Sequence, residues 1–345
     1  MPPVFGMWRK KTGFFISPRI KSKNAKFVTI YPLASFTHIL NTVSERENVS
    51  VNKIQKITFE SIGYALARTK ANVNISFIEF SAFERGEPQL PGSRFIYTEL
   101  ALNRKPGFEN YKALPFLIPF LKEILPLLTT DYVIFTNIDI IPSEHFYNVI
   151  DKIMASGHDG IVINRRRVSQ KYLEQFDYAA LISETGKSHT GYDTFVFKTS
   201  LINKFASANV CLGVPPAGND LFYNLFTLAG NPILFTEKNL TFHIGMDVYK
   251  EWGDKKTERE NYREFFKILK TLKPQMDISK FPGSELGFIR RHFKWFWNPT
   301  FRYPLMFSVD MKQLGKKRKP KKKHEVPGFK QRFLEWLIKH VNFKD

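Results

Sequence analysis

The chain has 345 residues, 43% of them hydrophobic, enough to bury a large core in one big α/β domain with an appendage or in two domains. A single cysteine, Cys211, excludes an internal disulfide framework and a cysteine-based zinc site, and favours a reducing, cytoplasmic compartment. The formal net charge of +20 points to anionic partners, namely nucleic acid, anionic lipid or phosphorylated ligands, and says little about fold.

Residues 1–24 are basic and irregular and read as a surface arm. They hold no uninterrupted apolar run and no small-residue cleavage site, so no secretory signal is expected. A first strand is expected over 27–32, closed by Pro32. Val51, Ile54, Ile57, Ile62, Ala65 and Leu66 then mark an amphipathic helix within 48–70. Residues 74–80 read as a second strand with Glu79 near its end, and 95–102 as a third. A loop carrying Arg104, Lys105 and Gly107 follows, then a helix over 111–128 that begins with Tyr111 and Lys112. The apolar stretch 113–128 is interrupted by Pro115, Pro119, Pro126, Lys122 and Glu123, and is too short and broken to span a bilayer.

The most informative stretch is Asp131-Tyr-Val-Ile-Phe-Thr-Asn-Ile-Asp-Ile-Ile-Pro142. Its β-branched and aromatic run reads as a strand buried on both faces of a parallel sheet. Asn137 and Asp139 place two polar side chains on one side of the backbone where that strand ends, and in an open α/β sheet ligands bind outside the carboxyl ends of the strands. Pro142 stops the strand, a helix is expected over 143–156 and another strand over 160–164. This strand and helix alternation predicts a doubly wound, mostly parallel sheet. Residues 165–190, with Arg165, Arg166, Arg167 and His189, are polar and fit a substrate loop or an insertion. A strand resumes over 191–197, where Asp193 leaves a glycine turn. The turn Gly218-Asn219-Asp220 launches an amphipathic helix that ends at Ala229-Gly230 before a further strand, with Asp220 suited to cap the helix. A last strand over 239–247 carries His243 and Gly245.

The order of these motifs over roughly 25–250 resembles the GT-A nucleotide-sugar glycosyltransferases. The resemblance implies a metal-holding Asp-x-Asp at the strand end, written here as Asn137-Ile138-Asp139. One carboxylate is missing, so Asp139 alone meets a divalent cation (Mn²⁺ or Mg²⁺), or Asn137 joins it with weaker affinity. His243 would complete the ligation, since imidazole is a normal ligand when carboxylates are few. Asp220 stands where inverting members carry the catalytic base, with Asn219 replacing the usual glutamate; the late His-x-Gly also occurs in retaining relatives. The resemblance further implies that Tyr31 and Pro32 open a turn over 33–37 that lies under the nucleotide, that Glu79 faces base or ribose, and that Arg104 and Lys112 face the diphosphate. Asp193 and Asn219 would face the sugar or acceptor. A nucleoside-diphosphate sugar and a glycan or lipid-linked acceptor are the implied partners.

Residues 251–345 differ in composition and read as a helical, basic extension. Aromatics including Trp295 and Trp297 mix with cations. A polybasic run containing Lys316 and Lys317 follows, then an amphipathic segment with Phe333, Trp336 and Leu337. Such a series suits an anionic membrane surface and makes nucleic acid the less favoured partner. Two other readings compete: a sugar-phosphate nucleotidyltransferase, and a non-catalytic protein that binds polyanions or membranes.

Overall fold

A computed structural model describes residues 34–43, 49–236, 239–245 and 254–317. In chain order, with strands and helices numbered separately, these residues form β1 (Ala34–Asn41), α1 (Val49–Ala67), β2 (Val73–Ser81), β3 (Arg94–Tyr97), α2 (Leu117–Ile124), β4 (Tyr132–Asn137), β5 (Ile141–Pro142) and α3 (Phe146–Ala155). Then come β6 (Gly160–Val168), α4 (Tyr178–Ser183), β7 (Lys187–Lys198), α5 (Asn219–Leu228), β8 (Pro232–Phe235), β9 (Thr241–Ile244), α6 (Lys255–Leu272), α7 (Phe288–Phe296) and α8 (Tyr303–Lys317). The strand expected over 27–32, with Tyr31 and Pro32, lies outside the described residues.

The strands join in one mixed, mostly parallel sheet of order β3-β2-β1-β4-β7-β6-β9-β5, with β8 added on β6. β1 pairs in parallel with β2 and β4, whereas β7 runs antiparallel between β4 and β6. Helices cover both faces, the α/β architecture expected of the chain. The alternation of side chains along each strand explains why the central strands are apolar throughout. Leu40, Ile134 and Val196 join one core with Phe146, Tyr147 and Ile150 of α3 and Val51 and Ile62 of α1. Their neighbours Ile39, Phe135, Phe195 and Phe197 point to the opposite face and join α2, α5, α6, α7 and α8.

Three boundaries differ from expectation for local reasons. Residues 33–37 were expected to be a turn, yet β1 begins at Ala34, because its polar residues are satisfied inside the fold rather than at a loop. His38 bonds Tyr147 Oη through Nδ1 and Thr136 Oγ1 through Nε2, both at 2.9 Å. Burial pushes its pKa down to about 3, so the ring is neutral and one nitrogen donates while the other accepts. The helix expected from residue 111 begins only at Leu117, after an extended Phe116: Pro115 disfavours helical backbone at the residue before it and offers no N–H, so Lys112 stands in a loop rather than at a helix N-terminus. Residues 165–190 are largely regular, comprising the end of β6, α4 and the start of β7.

The described part of the C-terminal third shares its core with the sheet. Phe265 and Leu269 of α6, Trp295 of α7 and Met306 of α8 bury in one cluster with Phe195, Phe222 and Leu225. Trp295, expected to contact a membrane, is fully buried and its indole N–H donates to the carbonyl of Pro282 at 2.9 Å. It is therefore a core anchor, and this corrects its assignment. Trp297 is 70% exposed and Lys316 is exposed. The Lys317 side chain, Phe333, Trp336 and Leu337 lie outside the described residues.

A buried charge cluster fixes α7 to α8. Asp310 Oδ2 accepts from Arg291 Nε at 3.0 Å, from Arg291 Nη2 at 2.6 Å and from His292 Nε2 at 2.8 Å. Desolvation outweighs the attraction of Asp310 and lowers the pKa of His292. Removing one partner of a buried pair strands the other, so Asp310→Ala is expected to cost about 3–5 kcal/mol. Urea unfolding should show this as a lower midpoint at unchanged slope.

Candidate active site

The strand order reverses between β1 and β4: the chain leaves β1 towards β2 on one side and returns as β4 on the other. Such a switch point splays the connecting loops apart and leaves a crevice beyond the carboxyl ends of the two strands. Asn41 and Asn137, paired in register, are the last residues of β1 and β4. Both line a cavity of about 400 Å³ at that place.

The polar wall of this cavity is assembled from four strands or their ends. Asp139 sits in the tight turn after β4, closed by the Ile140 N–H donating to the Asn137 carbonyl at 3.2 Å. Its Oδ2 lies 3.0 Å from Nε2 of His243, which is buried on β9. Its Oδ1 is buried and has no hydrogen-bond partner among the described residues. Burial by itself would raise the Asp139 pKa, but the charge and hydrogen bond of His243, with the charge of Arg165, outweigh it and hold the carboxyl below its ordinary value. Asn137 Nδ2 donates to Asp193 Oδ1 on β7 at 3.1 Å, and Arg165 Nη1 on β6 lies 2.8 Å from Asp193 Oδ2. Asn137, Asp139, Asp193 and His243 thus share one wall, with Arg165 between the carboxylates.

The facing wall comes from later in the chain. Leu212 to Asn219 line the cavity, as do Tyr262 of α6 and Pro299, Thr300 and Arg302 ahead of α8. The loop is held by one buried side chain: Asn261 Oδ1 accepts from the Cys211 N–H at 2.7 Å, and its amide donates to the carbonyls of Cys211 at 3.0 Å and Val214 at 2.8 Å. Gly218 turns the loop into α5 at φ +80°, where a Cβ would lie 2.6 Å from the Tyr192 carbonyl oxygen, so the turn needs glycine. Arg302 is in left-handed backbone conformation at φ 40°, the only non-glycine residue with positive φ among those described, and its guanidinium stacks over Tyr262 at 4.4 Å. An observed strain of this kind at a cavity wall marks a side chain that the fold holds in place.

Asp220 is 1% exposed and is not one of the residues lining the cavity; its neighbours Gly218 and Asn219 are. Its Oδ1 accepts from the Leu221 N–H at 2.9 Å. Burial pushes its pKa up to about 7 against the pull of backbone N–H groups. Glu79, expected near base or ribose, is fully buried and accepts from the N–H groups of Gln89 and Leu90 at 2.9 and 2.8 Å. It anchors the 87–93 loop and lies away from the cavity lining. Arg104 is half-exposed beside the Tyr97 hydroxyl at 3.2 Å, and Lys112 is exposed; neither lines the cavity. The arginines of the cavity lining, Arg165 and Arg302, follow the central strand rather than precede it.

No family model matches the chain, and no curated protein matches it. Among solved structures it is similar to S. aureus TarS in complex with UDP-GlcNAc, with 10% identity over 80% of this chain and 79% of that one and a TM-score of 0.42. It is also similar to glucosyl-3-phosphoglycerate synthase from Mycobacterium tuberculosis in complex with Mn²⁺, UDP-glucose and phosphoglyceric acid. That match has 16% identity over 68% of this chain and 79% of the other, with a TM-score of 0.38.

Proposed function

We propose that the chain is a GT-A-like glycosyltransferase that moves a sugar from a nucleoside-diphosphate donor to an acceptor hydroxyl, with inversion. The observation that carries this reading is Asp139 at the β1–β4 switch point: one oxygen is held by His243, and the other is buried and unpartnered among the described residues, in a cavity of about 400 Å³. A buried carboxylate oxygen without a donor is costly unless a cation or ligand meets it.

The donor set fits a divalent cation shared with a ligand rather than caged by protein. Among the described residues no group of three His, Cys, Asp or Glu side chains is placed to hold a metal ion. Mg²⁺-like ions commonly sit on one or two carboxylates plus substrate phosphates and water, and Asp139 supplies one carboxylate, with the Asn137 amide and His243 beside it. A cation there would offset charge on the departing diphosphate. Asp193 and Asn219 would then face sugar or acceptor, with Arg165 orienting Asp193 and Arg302 on the opposite wall.

Asp220 is proposed as the base. A carboxyl with a pKa near 7 is partly ionised at neutral pH and strong enough to take a hydroxyl proton during attack. It is buried and follows Asn219, which lines the cavity, so the acceptor proton would reach it past that residue or through a water. The acceptor is proposed to be a lipid-linked or cell-surface glycan precursor, and the protein to be peripheral on a membrane. The nucleotidyltransferase alternative expects a glycine-rich turn after β1, and residues 42–48 contain no glycine.

A thermal-shift series with UDP-, GDP- and dTDP-sugars, each with and without Mn²⁺, tests the reading. One base is expected to raise the melting temperature only with the cation, by about 2.7 kcal/mol of stabilisation at a hundred times Kd. If none of them does, while polyanions bind tightly and release with salt, the chain is a non-catalytic polyanion binder.

A further inference from the structure

The described residues expose seven large hydrophobic side chains, and four of them crowd one short helix: Ile289 (81%), Phe293 (68%), Phe296 (60%) and Trp297 (70%), on α7 and its C-cap. Their spacing places them on one face, since residues three and four apart are helix neighbours. The opposite face is spent inside the protein, through Trp295 in the core and Arg291 and His292 on Asp310. The outward rings also touch one another: Phe293 and Trp297 lie 6.2 Å apart, and Phe296 and Trp297 5.2 Å. Scattered surface apolar residues need no explanation; a contiguous patch on a rigidly mounted helix does.

We infer that the outward face of α7 is a membrane-docking surface that inserts Ile289, Phe293, Phe296 and Trp297 into the interface of an anionic bilayer. Charge chooses this occupant over an apolar protein groove. Arg290 and Lys294 are exposed on the same helix, Lys312 and Lys316 are exposed on α8, and the chain as a whole carries a net charge of +20. Apolar rings set among cations match a surface that is hydrocarbon at depth and negative at the headgroups. Among the described residues no helix is long and apolar enough to cross a membrane, so this contact lies in the interface plane.

The position of the helix adds a functional consequence. Two residues after Trp297 the chain reaches Pro299, and Pro299, Thr300 and Arg302 line the cavity. One segment of fifteen residues, 288–302, therefore carries both the docking face and part of the cavity lining. The inference rests on the peripheral-membrane part of the proposed function and is independent of sugar transfer.

Co-sedimentation of the full chain with phosphatidylcholine vesicles, with and without phosphatidylglycerol, tests it in the absence of any nucleotide sugar. The wild type is expected to pellet with the anionic vesicles. The triple variant I289S/F293S/W297S should bind them at least about tenfold more weakly at unchanged melting temperature, because its substituted side chains are exposed. R290E/K294E should lose a similar factor, more at low salt than at high salt. Triple-variant binding equal to wild type would overturn the inference and place attachment on the basic residues beyond α8. Absence of wild-type binding overturns it as well. If sedimentation velocity then shows a dimer that the triple variant dissociates, the face belongs to a second copy of the chain.

Discussion

Replacing Asp139 by asparagine is expected to abolish the cation-dependent thermal shift and to lower turnover by at least about 10²–10³-fold, the effect of losing several kcal/mol of charge stabilisation. Asparagine keeps the size of the side chain and an acceptor for His243, so the fold should persist. What it removes is the negative charge on the unpartnered oxygen. Alanine goes further and leaves the buried His243 facing a gap, so a stability loss is expected with alanine and not with asparagine. The pair separates ligation from packing. A full Mn²⁺-dependent shift in Asp139→Asn, with turnover unchanged, would remove the carboxylate from the mechanism and with it the reason to expect a diphosphate at the switch point.

Asp220→Asn should move stability and activity in opposite directions. The folded pKa of Asp220 is raised to about 7 by burial, above the ordinary 3.8. The folded state therefore favours the protonated form. Its contribution is fully present below the unfolded pKa and is lost as pH rises through about 7. By linkage the three-unit difference amounts to roughly 4 kcal/mol, lost between about pH 4 and pH 8. Asparagine carries no such penalty, so the variant should melt above the wild type at pH 8 and level with it near pH 4. In the role of base proposed for it, Asp220 would also supply about 10²–10⁴-fold of rate, so turnover should fall by that factor while donor affinity holds. The acidic limb of the pH–rate profile near 7 should vanish with it. A more stable variant that keeps its turnover would reduce Asp220 to a buried residue of the first turn of α5.

The parts of this molecule that were legible in the sequence are those where one physical signal dominates. The run from Tyr132 to Phe135 could only be a doubly covered strand, and the Gly218 turn into an amphipathic helix announced α5. Residues 33–37 read as a turn because Ser35 and Thr37 look like loop residues until Asp131 and Thr130 are known to meet them. That reading hides Asn41, whose place at the switch point follows only from its register with Asn137. Glu79 read as a ligand contact because nothing local says that the N–H groups of Gln89 and Leu90 will fold back onto it. Arg302 escapes sequence reading for the same reason, since it sits in no local motif, and Arg165 shows only as the start of a polar stretch; the cavity gathers them from a strand interior and from a turn far along the chain. A left-handed arginine leaves no mark in sequence, whereas a glycine in such a place does.

The amide of Asn261 has a wider implication. A single side chain from α6 satisfies three backbone groups of the loop opposite Asp139. The Asp139 side of the cavity and the 211–219 side are thereby mounted on different stretches of polypeptide, one in the sheet and the other dependent on helices that follow it. In the proposed reaction, drift in those helices would reshape what is admitted while the Asp139 side stays fixed. It also means that cutting the chain before α6 would not yield a smaller working unit, but a sheet whose pocket has lost the strut of its second wall.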